Sequence, residues 1–444
     1  MSEFELRERD GLARLGRLAT PHGAIETPAL LPVVHPDPER QPIPPSEIRR
    51  RFGLSAMITS AYITWRTPPL RTRAESEGIH GLLRFDGPVM TDSGAFQQHA
   101  YGSVEVTDEA IVSFQRRIGS DIVTVLDEFV EPDAPLDAAT RGVDVTTERA
   151  RRARELHKGL LAVPVQGGLH APLRYRSAAD ASETGDVLAV GGVVPLMERY
   201  RFADLARVLL AARGGLTPGA AVHLFGTGHP MTFAFAALFG VDLFDSSAYL
   251  KFARRGALLF PDGTIAIDDL REPVCRCALC HEIPLLEVAR LPAAEREVRI
   301  AEHNLLESAQ EVAQVRQAIR DGTLWELAER RAAAHPALQA GLRTTVRGVR
   351  AFLETEPESR RVFRAVGSTS TLRPAVIRFL ARVDRYRAGK GGYRLHARVA
   401  LVPSTLRGIP TENRSGEAVL WECPTPIGRV PLELTEIYPI GCYL

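Results

Sequence analysis

Eight short apolar runs recur along the first 250 residues and constrain the fold more than any other feature of the chain. They are ALLPVV (29–34), AMITSAY (56–62), PVMTDSGAF (88–96), DIVTVLDEF (121–129), LLAVPVQGG (160–168), DVLAVGGVV (186–194), AVHLFGTG (221–228) and VDLFDSS (241–247). Most are separated by segments of helical period and composition, such as 139–159 and 197–213. Continuous apolar runs, rather than alternating ones, are what parallel strands buried on both faces require, with helices covering the faces. Eight such units predict an α/β chain folded as a (β/α)8 TIM barrel; an eight-stranded doubly wound sheet is the alternative.

The polar residues favour the barrel. Asp92, Asp127, Gln166, Gly191, Gly192 and Asp245 all fall at or just beyond the C-terminal ends of different runs. In a barrel those ends converge on one mouth, so residues scattered over 150 positions would surround a single ligand. A lone aspartate at a strand end more often caps a helix or forms a turn. Several together allow chemistry: one carboxylate as nucleophile and a second as acid or base, if their environments separate their pKa values. Asp127, Gln166 and exposed glycine backbone would then read the edge of a flat ligand through directed hydrogen bonds. VQGG and VGG lack the further glycines and the lysine of dinucleotide or phosphate loops, which argues against redox or ATP chemistry.

Among five cysteines, Cys275, Cys277 and Cys280 lie within six residues, a spacing suited to metal rather than disulfides. The fourth ligand of a closed, structural zinc site is either His281 or His303. His281 is adjacent to Cys280 and poorly placed for the opposite vertex, so His303, in a helical segment, is preferred. Cys423 and Cys442 fit no motif.

Net charge is +1 overall but uneven: residues 341–400 hold thirteen Arg and one Lys against three Glu and one Asp, a local +10. Such an excess points to a polyanionic partner, with a solvated helical surface as the bland reading. The charged N-terminus and the absence of a spanning apolar run lead to an expected cytoplasmic location. Two domains are expected. Residues 1–340 form the catalytic barrel with a zinc-binding segment at 272–305. Residues 341–444 form a basic helical and α+β region with extended runs at 394–403 and 417–439.

TDSGAFQ (91–97), VLDE (125–128), VQGG (165–168), AVGGVVPLMERYRF (189–202), HLFGTGHP (223–230), GVDLFDSSAY (240–249) and CxCxxC followed by His303 together resemble the tRNA-guanine transglycosylases, in family order. GGVVPLMERYRF, FGTGHP and DSSAY are similar to the archaeal, archaeosine-forming branch. The resemblance implies base exchange without ATP. Asp245 would attack C1′ of the target ribose, expelling guanine, and Asp92 would serve as general acid and base. Asp127, Gln166, Gly191 and Gly192 would grip the base, with Phe96 stacking on it. It further implies the 7-deazaguanine preQ0 as incoming base, guanine 15 of tRNA as target, structural zinc and a homodimer. Arg254 and Arg255 are candidates for gripping the RNA backbone. The branch commonly ends in a PUA domain that holds the tRNA acceptor end, and no such segment precedes Leu444. A separate PUA-domain protein, reliance on the basic segment, or a different target would each account for this. The alternatives in function are action on guanine 34 or on DNA, or a non-catalytic partner subunit.

Overall fold

The computed structural model describes residues 4–95, 106–345, 349–389, 420–423 and 427–442. A three-stranded antiparallel sheet comes first: β1 (Phe4–Asp10), β2 (Ala13–Thr20) and β3 (Gly23–Thr27). Eight parallel strands follow: β4 (Ala29–Val34), β5 (Met57–Ser60), β6 (Val89–Asp92), β7 (Ile122–Thr124), β8 (Leu160–Val165), β9 (Val187–Val190), β10 (Ala221–Leu224) and β11 (Leu243–Ser246). Each pairs with the next and β11 returns to β4, closing the barrel. All eight apolar runs supply one strand each, so the TIM barrel holds and the open sheet does not.

Burial explains why the runs are continuous. Every residue of β5, β8, β9, β10 and β11 is buried, because one face lines the barrel interior and the other meets the helices. Inside, Leu31, Ile58, Met90, Ile122, Ala162, Val187, Ala221 and Leu243 pack together with Phe4, Leu18 and Ile25 of the N-terminal sheet. That sheet therefore plugs the end of the barrel at which the strands begin.

The plug also accounts for the carboxylate that interrupts the last apolar run. Arg14 on β2 is fully buried and donates to the carbonyls of Pro218 (2.8 Å) and Ala220 (3.0 Å) and to both oxygens of Asp242, which in turn accepts from the Val222 amide at 2.7 Å. A buried ion pair with its remaining hydrogen-bonding sites occupied is tolerated there and fixes the plug's register.

After β11 the chain inserts a hairpin, β12 (Ala257–Phe260) with β13 (Gly263–Ala266), and the cysteine-bearing segment. The helix Ala293–Asp321 then packs on β4 and on the plug. Asn304 on this helix binds the Leu259 amide (2.7 Å) and the carbonyls of Tyr249 (3.2 Å) and Ala257 (3.1 Å), tying the hairpin to the barrel.

Beyond it, the barrel's apolar core takes in Leu324, Leu338, Leu342 and Phe352. A second, smaller core gathers Phe363, Val376, Phe379, Val383, Ile427, Val430, Leu432 and Ile440. It includes the helix Pro374–Gly389 and sits beside the hairpin of β14 (Leu420–Cys423) and β15 (Gly428–Pro431). The expected extended run at 394–403 lies outside the described residues. Cys442 is half-buried in this module.

The basic segment is less open than its composition suggests. Arg360 binds Asp10 of the plug and Glu356 (3.0 Å), and donates to the Gly322 carbonyl at 2.7 Å. Arg373 binds Glu326 (2.7 Å) and Glu329 (2.6 Å), all three buried. Arg378 donates to the carbonyls of Leu353 (2.8 Å) and Glu356 (3.0 Å). Arg360 and Arg373 fasten the C-terminal residues to the barrel and Arg378 ties that segment to itself, while Arg343, Arg350, Arg361, Arg364 and Arg385 remain exposed. No helix among the described residues is long and apolar enough to cross a membrane.

Candidate active site at the barrel mouth

The strand-end residues converge. Asp92 ends β6, Asp127 lies three residues past β7, Gln166 follows β8, Gly191 and Gly192 follow β9, and Asp245 sits in β11. The Gln166 amide nitrogen donates to Asp127, and the carboxylates of Asp127 and Asp245 are near enough to Asp92 to repel its charge. Phe96, the expected stacking residue, lies outside the described residues.

Each carboxylate has a different setting. At Asp245, Oδ1 accepts from His223 Nε2 at 2.9 Å and from the Gly226 amide at 2.8 Å, while Oδ2 has no partner among the described residues. One oxygen is anchored and, among the described residues, the other is not. Among the described residues no cation acts on Asp92. Burial, reinforced by the Asp127 and Asp245 charges and opposed by amides of Gly94 and Ser93, pushes its carboxyl up to about 7. Asp127 is pushed up to about 6 by burial, against the hydrogen bond from Gln166. A carboxyl raised to neutrality by desolvation can hold a proton and release it near the working pH.

The glycines are demanded by space and conformation. A Cβ on Gly191 would stand 2.7 Å from the Gln166 amide nitrogen. Gly192, at φ +66°, would place one 2.6 Å from the Val130 carbonyl oxygen. Any side chain there would push the loop after β9 away from Gln166 and Asp127.

Two residues of the site carry no flag in the sequence reading. His223 is wholly buried, and its Nδ1 has no partner among the described residues; its one signal was a polar residue inside the apolar run AVHLF. Arg174, equally buried, holds the loops after β8 and β9 from beneath, and nothing distinguished it among 55 basic residues. Arg254 and Arg255 are exposed beyond β11, Arg254 paired with Glu297 at 3.2 Å.

The residues expected to ligate metal also assemble. Cys275, Cys277, Cys280 and His303 bring one donor atom each to within 4.8 Å of one another. His303 Nδ1 lies 3.4 Å from the Cys280 sulfur, whereas His281 is exposed, so it is His303 that joins the three cysteines. Three thiols and an imidazole fit a closed tetrahedral site of the structural kind. A second grouping, His22, His80 and Asp121, lies at the plugged end. There the two imidazoles stack 3.6 Å apart and each binds one oxygen of Asp121, at 2.9 and 3.0 Å. Near-parallel rings share no point within bonding distance in both ring planes, so this is a carboxylate clamp joining the β2–β3 turn and the helix Pro68–Leu83 to the start of β7.

Residues 9–337 match the family described as queuine tRNA-ribosyltransferase. Curated proteins similar over nearly the whole chain include the tRNA-guanine(15) transglycosylases of Archaeoglobus fulgidus (41% identical, covering 99% of this chain and 88% of that one) and Methanosarcina barkeri (40%, covering 99% and 86%). That of Haloarcula marismortui is 40% identical, with 99% and 88% covered. With the barrel, the strand-end carboxylates and the Cys3His cluster in place, these similarities establish that the chain belongs to the tRNA-guanine transglycosylase family of pentosyltransferases.

Proposed function

We propose that this enzyme exchanges guanine 15 in the D arm of tRNA for preQ0, through a covalent aspartyl intermediate, in archaeosine formation. The observation that carries the chemistry is the contrast between two neighbouring carboxylates: Asp245, anchored by one oxygen, and Asp92, held near neutrality by burial. The target position rests on the names of the similar proteins, all tRNA-guanine(15) transglycosylases.

Asp245 Oδ2 attacks C1′ of the target nucleoside; the C1′–N9 bond breaks and an ester bond to C1′ forms. Asp92 supplies the proton the departing guanine takes up. Guanine leaves, preQ0 enters, and Asp92, now ionised, accepts the proton from its N9. That nitrogen attacks C1′, and Asp245 is released as carboxylate. Two displacements keep the RNA attached between bases and require no ATP. His223 and the Gly226 amide hold Asp245 so that only Oδ2 meets the sugar. Asp127, Gln166, Gly191 and Gly192 hold the flat base by its edge, and Phe96 is the proposed stacking partner.

The target nucleoside has to be swung out of the folded RNA to reach the mouth, which calls for a surface that grips the backbone. The exposed arginines after residue 341, with Arg254 and Arg255, are proposed for it, with or without a separate PUA-domain protein. The Cys3His site is proposed to hold structural zinc. The barrel (1–340) and the C-terminal region (341–444) are proposed as domains, in a cytoplasmic homodimer.

The test is incorporation of labelled preQ0 into tRNA transcripts in which guanine 15 or guanine 34 is individually replaced. Loss only with the position 15 change is expected. Loss only with the position 34 change, or incorporation into DNA alone, moves the target while keeping the chemistry. Activity that survives Asp245→Ala would overturn the nucleophile assignment.

A further inference from the structure

Arg174, the fourth residue of the helix Ala171–Thr184, is a buried cation with no acidic partner among the described residues. Its guanidinium donates to three main-chain carbonyls: Val165 at 2.7 Å, Gly168 at 2.8 Å and Gly191 at 2.8 Å. These belong to the end of β8, the loop after it and the loop after β9. Its Nη2 has no acceptor among the described residues, and it would lie 3.6 Å from a Cβ on Gly192. Burial without a counter-charge pushes its pKa down to about 9, so it remains a cation at neutral pH.

Holding three carbonyls does not by itself require charge. Burying a guanidinium without a carboxylate costs several kcal/mol, whereas a neutral amide side chain could serve two of the carbonyls at much lower cost. What the charge adds is polarisation. The Gly191 carbonyl and the Gly192 N–H belong to one peptide group, and a cation bonded to the oxygen strengthens the N–H as a donor. That N–H has no acceptor among the described residues, and it lies at the mouth beside Gln166, against whose Oε1 a Cβ on Gly192 would stand 2.9 Å away.

We propose that Arg174 is a positioning residue that locks the two glycine loops together and polarises the Gly191–Gly192 peptide, so that its N–H stabilises negative charge on the 6-oxo edge of the purine-type base. This rests on the reading above that these loops hold the base. As the C1′–N9 bond breaks, electron density flows onto the base and its exocyclic oxygen. A pre-aimed donor there acts as an oxyanion-hole group does.

The experiment uses the full chain with zinc bound and compares Arg174→Met, Arg174→Gln and Arg174→Lys. Free-base binding is measured calorimetrically with guanine and with 2-aminopurine, which lacks the 6-oxygen, and exchange is followed with labelled guanine and tRNA. For Arg174→Met a fall of about 10²–10³-fold in kcat/KM for guanine is expected, with tRNA affinity unchanged and the preference for guanine over 2-aminopurine lost. Arg174→Lys should recover at least about tenfold over Arg174→Gln, because charge is the decisive element. Equal activity of Arg174→Lys and Arg174→Gln, or unaltered discrimination between the two bases, overturns the proposal. Should Arg174→Met not fold, the lysine and glutamine variants decide by the same comparison. Failure of wild-type protein to bind guanine at all would instead remove the base-site reading, and the Arg174 proposal with it.

Discussion

Replacing Asp92 by asparagine tests the electrostatics on which the proposed division of labour depends. Burial raises this carboxyl from 3.8 to about 7 in the folded chain, which corresponds to about 4 kcal/mol of preference for the protonated form. For an acid whose folded-state pKa is raised, the native state binds the proton more tightly than the unfolded state. Its stability contribution is intact below about pH 4, is lost progressively as pH rises to about 7, and is constant beyond. Asn can still accept from the Gly94 amide but cannot ionise. Asp92→Asn should therefore unfold at higher urea than wild type, with an advantage that grows by roughly 2–3 kcal/mol between pH 5 and pH 8. Urea unfolding followed by tryptophan fluorescence at fixed zinc, across that range, reads the difference. Effects of the amide that do not depend on pH cancel in the slope. Exchange should fall by about 10²–10⁴-fold in the same variant. Parallel pH profiles for the two proteins would refute the reasoning, because Asp92 would then be ionised without penalty and could not hold a proton at neutrality.

Two further outcomes are expected. Cys277→Ser should lose stoichiometric zinc, measured by metal analysis, and lower the unfolding temperature, whereas His281→Ala should leave both unchanged; a zinc-free protein of full stability would sink the structural role. Arg373→Met should destabilise the chain by roughly 3–5 kcal/mol, since it leaves Glu326 and Glu329 buried without their cation. Adding Glu326→Gln and Glu329→Gln should restore part of that loss, and a urea midpoint unmoved by Arg373→Met would show that the pairs do not hold the C-terminal residues to the barrel.

The barrel was legible because its geometry writes itself into local composition. A parallel strand buried on both faces must be apolar throughout, so β4 to β11 each left a run, and the polar residue ending a run had to lie at the mouth. The cysteine cluster was legible because its three thiols came from six consecutive residues, and the fold then separates His303 from the exposed His281. What sequence hid were interactions whose partners lie far apart along the chain. Arg360 meets Asp10 across 350 positions, and Arg373 meets Glu326 and Glu329 more than forty residues upstream. Counted locally, those arginines looked like a solvent-facing cationic surface; paired, they are internal fastenings.

The same reasoning explains why the groups proposed to face a ligand were found before those that support them. Asp92, Asp127 and Asp245 stand at strand ends, where a carboxylate contrasts with its apolar run. His223 sits one turn of the pleat deeper, and Arg174 reaches the loops from a helix outside the barrel, so neither occupies a position that topology marks. Yet their burial carries the stronger physical statement. A wholly buried imidazole hydrogen-bonded to Asp245, and a wholly buried guanidinium spent on loop carbonyls, are costly arrangements in a core that apolar residues could fill. Their cost makes sense if the groups they hold, the Asp245 carboxylate through Oδ1 and the Gly191–Gly192 peptide through its carbonyl, must be fixed before the base and ribose arrive rather than organised afterward.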